Sequence, residues 1–164
     1  MNARRALLIG LLLLPCWSHA QQPVPEILFN AALVDLAGQP ATLARFRGQP
    51  LIVNFWARWC GPCRTEIPDL ITEYTRVKNT GLQIVGLALD DKPDAVRDFA
   101  KAYDIDYPVL LAKDGAIDLL QQLDNPQAGL PYTLAINRRG QVVARKLGPM
   151  SRTEMTAAFA AANK

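Results

Sequence analysis

The sequence predicts an α/β fold, a mixed central sheet flanked by helices with a strand extension on its N-terminal side. Three observations lead there. Leu51 to Trp56 (LIVNFW) and Leu82 to Leu89 (LQIVGLAL) are short, nearly continuous apolar runs of the kind that form buried central strands. Stretches of helical length separate these runs from the next strand-like segments, so strands and helices alternate. The chain then closes on two strand-like segments, Leu130 to Asn137 and Gln141 to Leu147, joined at Arg138-Arg139-Gly140 as a hairpin. Parallel crossovers followed by a hairpin require a mixed sheet. The 164 residues, 50% of them apolar, suit about one domain. A chain of this size buries roughly two thirds of its surface without covalent staples. No repeat, low-complexity tract or linker divides it, and residues 27–164 read as one domain.

In chain order, residues 21–26 (QQPVPE) read as a flexible lead-in. Ile27 to Leu36 is a strand region stopped by Gly38-Gln39-Pro40, and a weak strand or turn near Ala41 to Phe46 ends at Gly48-Gln49-Pro50. After the Leu51 strand, a helix begins just beyond Cys60 and runs to about Asn79, with Gly81 as its stop. Lys92-Pro93-Asp94 opens a second helix that reaches about Tyr103. Tyr107 to Leu111 is a short strand and Asp114 to Leu123 a helix. The last helix runs from Ser151 to Ala162, with Ser151 and Glu154 at the N-cap and N3 spacing of a capping box.

The first twenty residues read as a secretory signal. Arg4-Arg5 supply a positive start, and Ala6 to Leu14 (ALLIGLLLL) an apolar run too short to span a bilayer. Pro15 breaks that run, and Ser18-His19-Ala20 places small residues at the −3 and −1 positions of a cut after Ala20. Two alternatives stand beside cleavage: a lipid on Cys16, which the bulky Pro15 before it disfavours, and an uncleaved anchor.

Cleavage leaves 144 residues with 16 basic and 15 acidic side chains, no histidine, and two cysteines, Cys60 and Cys63. The near-balance of charge, without a Lys/Arg run, gives no basis for a nucleic-acid partner. Without histidine there is no Ser-His or Cys-His nucleophile and no imidazole metal ligand. Two cysteines alone do not close a four-ligand zinc site, so neither a metal nor a cofactor is expected.

Trp59-Cys60-Gly61-Pro62-Cys63 follows the Leu51 strand and opens a helix, and a C-x-x-C beside a βαβ pattern is a redox signature. Residues three apart in a first helical turn share one side, within the roughly 4.4–6.8 Å Cα separation a disulfide tolerates. Cys60, at the helix N-terminus, sits where the dipole and free N–H groups favour an anion, so its thiol should titrate below the usual 8.5 or so. Cys63, one turn in, is the more buried, resolving thiol. Pro62 suits the first turn, where no intrahelical hydrogen bond is lost. The competing readings are a structural disulfide, which closes too small a loop to add much stability, and half of a metal site.

Asn54 to Cys63 (NFWARWCGPC) resembles the active-site segment of the thioredoxin fold, and Glu66-Ile67-Pro68 after it is similar to the TlpA/ResA-like branch of exported thiol–disulfide oxidoreductases. Gly129 to Gly140 (GLPYTLAINRRG) resembles that family's cis-proline loop and hairpin, and Leu147-Gly148-Pro149 its last active-site loop. The resemblance covers about residues 25–163. It implies a thioredoxin-like fold and a redox disulfide Cys60–Cys63. It also implies a cis Leu130–Pro131 bond beside the sulfurs that leaves the Leu130 backbone free to pair with substrate. The substrate groove is then made by Trp59, Gly61, Pro62, Leu130, Pro131 and Gly148. Two positions depart from the pattern. Asn54 stands where cytoplasmic thioredoxins carry a buried aspartate, and Tyr132 where many relatives have threonine, which bears on the shape of the groove.

Glu66 is the candidate replacement for the missing carboxylate. It lies three residues past Cys63, about 60° round the helix, and partly desolvated there it would take the Cys63 proton; the alternative is a solvated helix-face glutamate. Pro68 should kink the helix, or else end it. Trp59 should flank the sulfur and Trp56 pack in the core. Arg58 and Arg64 read as solvated surface charges, and Asp90-Asp91 as the start of the next helix rather than metal ligands.

The expected function is therefore an exported, periplasmic thiol–disulfide oxidoreductase that reduces disulfides of exported proteins, with apocytochrome c or copper-site assembly proteins as the family's substrates. Exported thiols are oxidised by default, so a membrane-embedded electron donor of the DsbD/CcdA type is implied; a monomer is expected. A disulfide oxidase or isomerase is the alternative. A thiol peroxidase is weaker, because its motif threonine is Ala57 here, and a metallochaperone weaker again for lack of histidine.

Overall fold

A computed structural model describes residues 22–23, 26–90 and 92–164 of the chain. The signal segment 1–20, Asp91, and residues 21, 24 and 25 of the lead-in lie outside the described residues. In chain order the elements are β1 (Gln22–Pro23), α1 (Glu26–Asn30), β2 (Leu33–Asp35), β3 (Pro40–Ala41), a 3-10 turn (Ala44–Phe46), β4 (Leu51–Trp56), α2 (Gly61–Val77) and β5 (Gln83–Ala88). There follow α3 (Pro93–Ala102), β6 (Val109–Leu111), α4 (Ala116–Gln122), β7 (Tyr132–Ile136), β8 (Gln141–Leu147) and α5 (Arg152–Ala162). The strands form one mixed sheet in the order β1-β8-β7-β4-β5-β6-β2-β3. β4, buried along its whole length, lies inside the sheet, parallel to β5 and antiparallel to β7.

Side chains alternate across a strand, and β4 shows the two faces this creates. Leu51, Val53 and Phe55 join a core with Leu28 and Phe29 of α1, Leu119 and Leu120 of α4, and Tyr132. Ile52 and Trp56 join the other core, which holds Cys60, Cys63 and Ile67 of α2, Val96 of α3, and Met155 and Phe159 of α5. The disulfide side of the sheet is therefore the side covered by α2, α3 and α5.

Two expectations near the N-terminus are corrected. The strand region Ile27 to Leu36 is a helical turn, α1, followed by the shorter β2. Leu28 and Phe29 are adjacent and both buried, which a strand with one covered face does not permit, and Glu26 places an acid in the helix's first turn. The weak strand near Ala41 to Phe46 is a two-residue strand and a 3-10 turn that buries Leu43 and Phe46. Within the lead-in, Gln22 and Pro23 pair with Val142 and Gln141 at one edge of the sheet. Helix α2 runs through Pro68 without ending there. No helix among the described residues is long and apolar enough to cross a membrane.

Candidate functional site

β4 delivers the chain to the site. Past Trp56 it turns through Ala57, Arg58 and Trp59 into α2, and Asp90, at the end of the neighbouring β5, fixes that turn. The Arg58 N–H donates to Asp90 Oδ2 at 3.1 Å, and Arg58 Nε lies 3.0 Å from Asp90 Oδ1. Arg58 is thus paired with a buried carboxylate, which corrects its reading as a solvated charge; Arg64 is exposed.

Cys60 is the N-cap of α2, in extended backbone conformation, and its sulfur accepts the Cys63 N–H at 3.2 Å. A sulfur there takes one of the N–H groups that a helix start leaves without partners, and the bond strengthens when the sulfur carries charge. Cys60 and Cys63 are joined by a disulfide with Cα atoms 5.3 Å apart. Cys63 is 1% exposed and Cys60 6%, so the outer sulfur belongs to Cys60. Gly61 and Pro62 between them are exposed, and Trp59 is 70% exposed, leaving an uncovered indole beside the disulfide. Trp56 is fully buried, its ring 5.1 Å from that of Phe99, as expected of a core residue.

The loop before β7 lies against the same core as the cysteines. The Leu130–Pro131 peptide is cis, and Leu130 packs against the core cluster that contains both cysteines. The Leu130 N–H and C=O have no partner among the described residues. The Pro131 carbonyl accepts the Gly148 N–H at 2.8 Å, tying the loop to the end of β8, and Gly148 takes a φ of +88° that favours glycine. Gly148 thus holds Pro131 through its backbone. Tyr132 points away from the cysteines. It is buried in the opposite core, where its hydroxyl donates to the Leu123 carbonyl at 2.6 Å, so it does not line the groove.

Glu66 is 3% exposed, so it is not a solvated helix-face residue. Its Oε1 accepts the Met150 N–H at 3.1 Å, while Oε2 has no protein partner. Burial pushes the carboxyl up to about 7, against smaller opposing effects of the Met150 N–H and the Asn54 side chain. One turn along the same helix face from Cys63, it is a group that changes protonation near neutral pH. Asn54, on the same face of the sheet, donates to Thr133 Oγ1 at 2.9 Å.

Two supporting residues, Asn125 and Met150, were not singled out from the sequence, and a third, Asp90, was read there only as the start of the next helix. Asn125 brackets the cis-proline loop: its amide donates to the Gly129 carbonyl at 2.8 Å, and its Oδ1 accepts the Gly129 N–H at 3.1 Å. The turn signal Asp124-Asn125-Pro126 pointed there. Met150 acts through its backbone, which leaves no sequence signal. Asp90 stands at the carboxyl end of β5, where open α/β sheets gather their functional residues.

A disulfide whose outer sulfur caps a helix, unpaired Leu130 backbone groups on a loop packed against the same core, and a buried carboxyl pushed up to about 7 are together suited to thiol–disulfide exchange. Comparison with known proteins agrees. Residues 19–162 match the redoxin family. The chain is 31% identical over 126 residues to the thiol-disulfide oxidoreductase ResA of Bacillus thuringiensis subsp. konkukian, covering 77% of this chain and 70% of that protein. A crystal structure of a thiol:disulfide interchange protein of the thioredoxin family from Chlorobium tepidum TLS superposes with a TM-score of 0.71 at 30% identity, covering 86% of this chain and 97% of the other. A secreted Mycobacterium tuberculosis disulfide oxidoreductase, described as homologous to E. coli DsbE, superposes with a TM-score of 0.66 at 26% identity over 83% and 98% of the two chains.

Proposed function

We propose, from the premise that this chain belongs to the redoxin family and is a ResA-like thiol–disulfide oxidoreductase of thioredoxin fold, that it works as an exported reductase of protein disulfides. The observation that carries the reading is the Cys63 N–H directed at Cys60 Sγ at the start of α2. It favours Cys60 as the thiolate that attacks a partner.

In the reduced protein the Cys60 thiolate attacks one sulfur of a partner disulfide. That S–S bond breaks, the partner's other sulfur leaves as a thiolate and takes a proton from water, and a Cys60–partner mixed disulfide forms. The Leu130 N–H and C=O bind the partner's backbone beside the sulfurs in strand fashion, while Trp59, Gly61, Pro62, Pro131 and Gly148 shape the groove. Cys63 then gives its proton to Glu66 and attacks Cys60 Sγ. The mixed disulfide breaks, the second partner thiolate departs, and the pair closes as the Cys60–Cys63 disulfide. Two electrons have passed to the partner. A membrane-embedded donor of the DsbD/CcdA type returns them, because an exported dithiol is otherwise left oxidised.

Trapping tests the assignment of roles. Cys63→Ser should accumulate mixed disulfides with exported proteins, since the intermediate is no longer resolved, whereas Cys60→Ser should accumulate none. The reverse pattern would make Cys63 the attacking thiol. Export is checked on the same material: N-terminal sequencing of the exported protein should begin at Gln21. A lipidated Cys16 or a full-length membrane-bound chain would replace cleavage with an anchor.

A further inference from the structure

The loop that leads into β7 is built around one buried polar side chain that the exchange steps above leave unused. Asn125 is 2% exposed, although Asp124 before it and Pro126 after it are both exposed. Its backbone and its amide are engaged close by. The Asn125 N–H donates to the Leu120 carbonyl at 3.0 Å, and the Asn125 carbonyl accepts the Ala128 N–H at 2.9 Å. The side-chain amide meets Gly129 twice, donating to its carbonyl at 2.8 Å and accepting its N–H at 3.1 Å. Ala128, between the two, takes a φ of +49°, a conformation that a residue with a Cβ keeps only where its surroundings impose it. Two further bonds tie down the ends of the loop. The Tyr132 hydroxyl donates to the Leu123 carbonyl at 2.6 Å, and the Gly148 N–H to the Pro131 carbonyl at 2.8 Å.

What this holds in place is the peptide that joins Gly129 to Leu130. The Gly129 carbonyl and the Leu130 N–H belong to one planar trans unit and point to opposite sides of it. With the carbonyl turned inward onto the buried Asn125 amide, the Leu130 N–H is turned the other way. It has no partner among the described residues, and neither has the Leu130 carbonyl. A hydrogen bond accepted at one end of a peptide also polarises the other, which makes this N–H the stronger donor. We propose that Asn125 is the positioning residue for partner binding: its amide fixes the Gly129–Leu130 peptide so that the Leu130 N–H meets a backbone carbonyl of an extended polypeptide lying beside the disulfide. Asn125 itself is buried and acts only through that peptide. This inference rests on the strand-like pairing at Leu130 in the exchange reading above. Its consequence is a preference for polypeptide disulfides over small ones, since a small disulfide offers no backbone to pair.

Two disulfides with the same leaving group test the role on the reduced protein. One is dithiobisnitrobenzoate, which has no backbone. The other is a short extended peptide whose single cysteine is carried as its thionitrobenzoate mixed disulfide. In each, the Cys60 thiolate attacks, a thionitrobenzoate thiolate leaves, and Cys63 then closes the Cys60–Cys63 disulfide and frees the remaining thiol, so two electrons pass from the protein either way. In Asn125→Ala the ratio of the peptide rate to the dithiobisnitrobenzoate rate should fall about 10-fold, the scale of one net hydrogen bond. An unchanged ratio, whether both rates fall together or neither does, overturns the proposal. A second measurement follows the Leu130 amide by hydrogen exchange in the mixed disulfide that Cys63→Ser traps with the same peptide. That amide should be protected in the complex and should lose its protection when Asn125→Ala is added. Asn125→Asp, which keeps the acceptor for the Gly129 N–H and lacks only the donor to the carbonyl, should do the same and serves if the alanine variant does not fold. Equal protection with and without the change overturns the role of Asn125 and leaves the pairing intact. A Leu130 amide left unprotected in the Cys63→Ser complex itself removes the pairing from the exchange reading, and this inference with it.

Discussion

Glu66 concentrates the conflict between stability and chemistry at a single residue. With its carboxyl raised from 4.5 to about 7, the native protein holds a proton that the unfolded chain releases. Below about 4.5 both states are protonated and the residue is neutral to stability. Between 4.5 and about 7 stability falls as pH rises, and above that the full cost is present, about 3 kcal/mol. Glu66→Gln should therefore leave stability nearly unchanged at pH 4 and raise it at pH 8, by up to about 3 kcal/mol, as read by denaturant unfolding. The same change should slow resolution of the mixed disulfide at pH 8 by about 100-fold, the usual scale for losing a positioned base. The wild-type limb near pH 7 should disappear with it. A single-turnover rate that keeps its pH profile would return Glu66 to a purely structural role. The placement of this residue was legible in the sequence from its spacing to Cys63 and the absence of histidine. Its depth was not, because burial depends on the Met150 segment arriving from 84 residues further along the chain. Arg58 failed for the same reason: the carboxylate that pairs with it, Asp90, lies 32 residues further along the chain, just past the end of β5.

At the scale of elements, local signals and long-range ones separate cleanly. The Leu51–Trp56 strand has the bounds its apolar run set, and the capping box of Ser151 and Glu154 is present with both of its hydrogen bonds. Both signals are contained within a few residues. The mistaken strand at Ile27 came from reading apolar residues without their period, since three adjacent apolar side chains fit a helical turn against a sheet as well as a strand inside one. Gly86 shows what no local pattern reveals. It interrupts a β-branched and aliphatic strand because the Trp56 and Tyr107 rings fill the volume of its side chain. Gly86→Ala should cost about 1–3 kcal/mol by overpacking, although alanine suits a strand backbone better than glycine does. Both contacts are with aromatic rings confined by neighbours, Phe99 beside Trp56 and Tyr74 beside Tyr107. A neutral or stabilised Gly86→Ala protein in urea unfolding would mean that this part of the core yields.

For the whole molecule the question is which way electrons run. A dithiol pair becomes oxidising when its thiolate form is strongly stabilised, and the span from thioredoxin to the oxidant DsbA is about −270 to −120 mV. The sequence supplies Gly61-Pro62 between the cysteines, with neither charge nor side-chain donor, so the helix N-terminus alone supports the Cys60 thiolate. Two nearby cations, Arg58 and Arg64, would push toward oxidation, but Asp90 neutralises the first and Arg64, being exposed, is screened by solvent and salt. Glu66 works in the same direction, because a buried carboxylate beside Cys63 opposes a second negative charge there and so disfavours the reduced, ionised pair. The helix terminus alone therefore raises the potential, the arginines add little to it, and Glu66 lowers it. Equilibration of the Cys60–Cys63 couple with glutathione or dithiothreitol should give a value below about −200 mV, and alkylation of intact cells should find the pair reduced while its membrane donor is present and oxidised when that donor is deleted. A potential near the oxidising end, with the pair disulfide-bonded in cells while partners gain disulfides, would show that electrons flow from partner to protein and that the chain is an oxidase or isomerase.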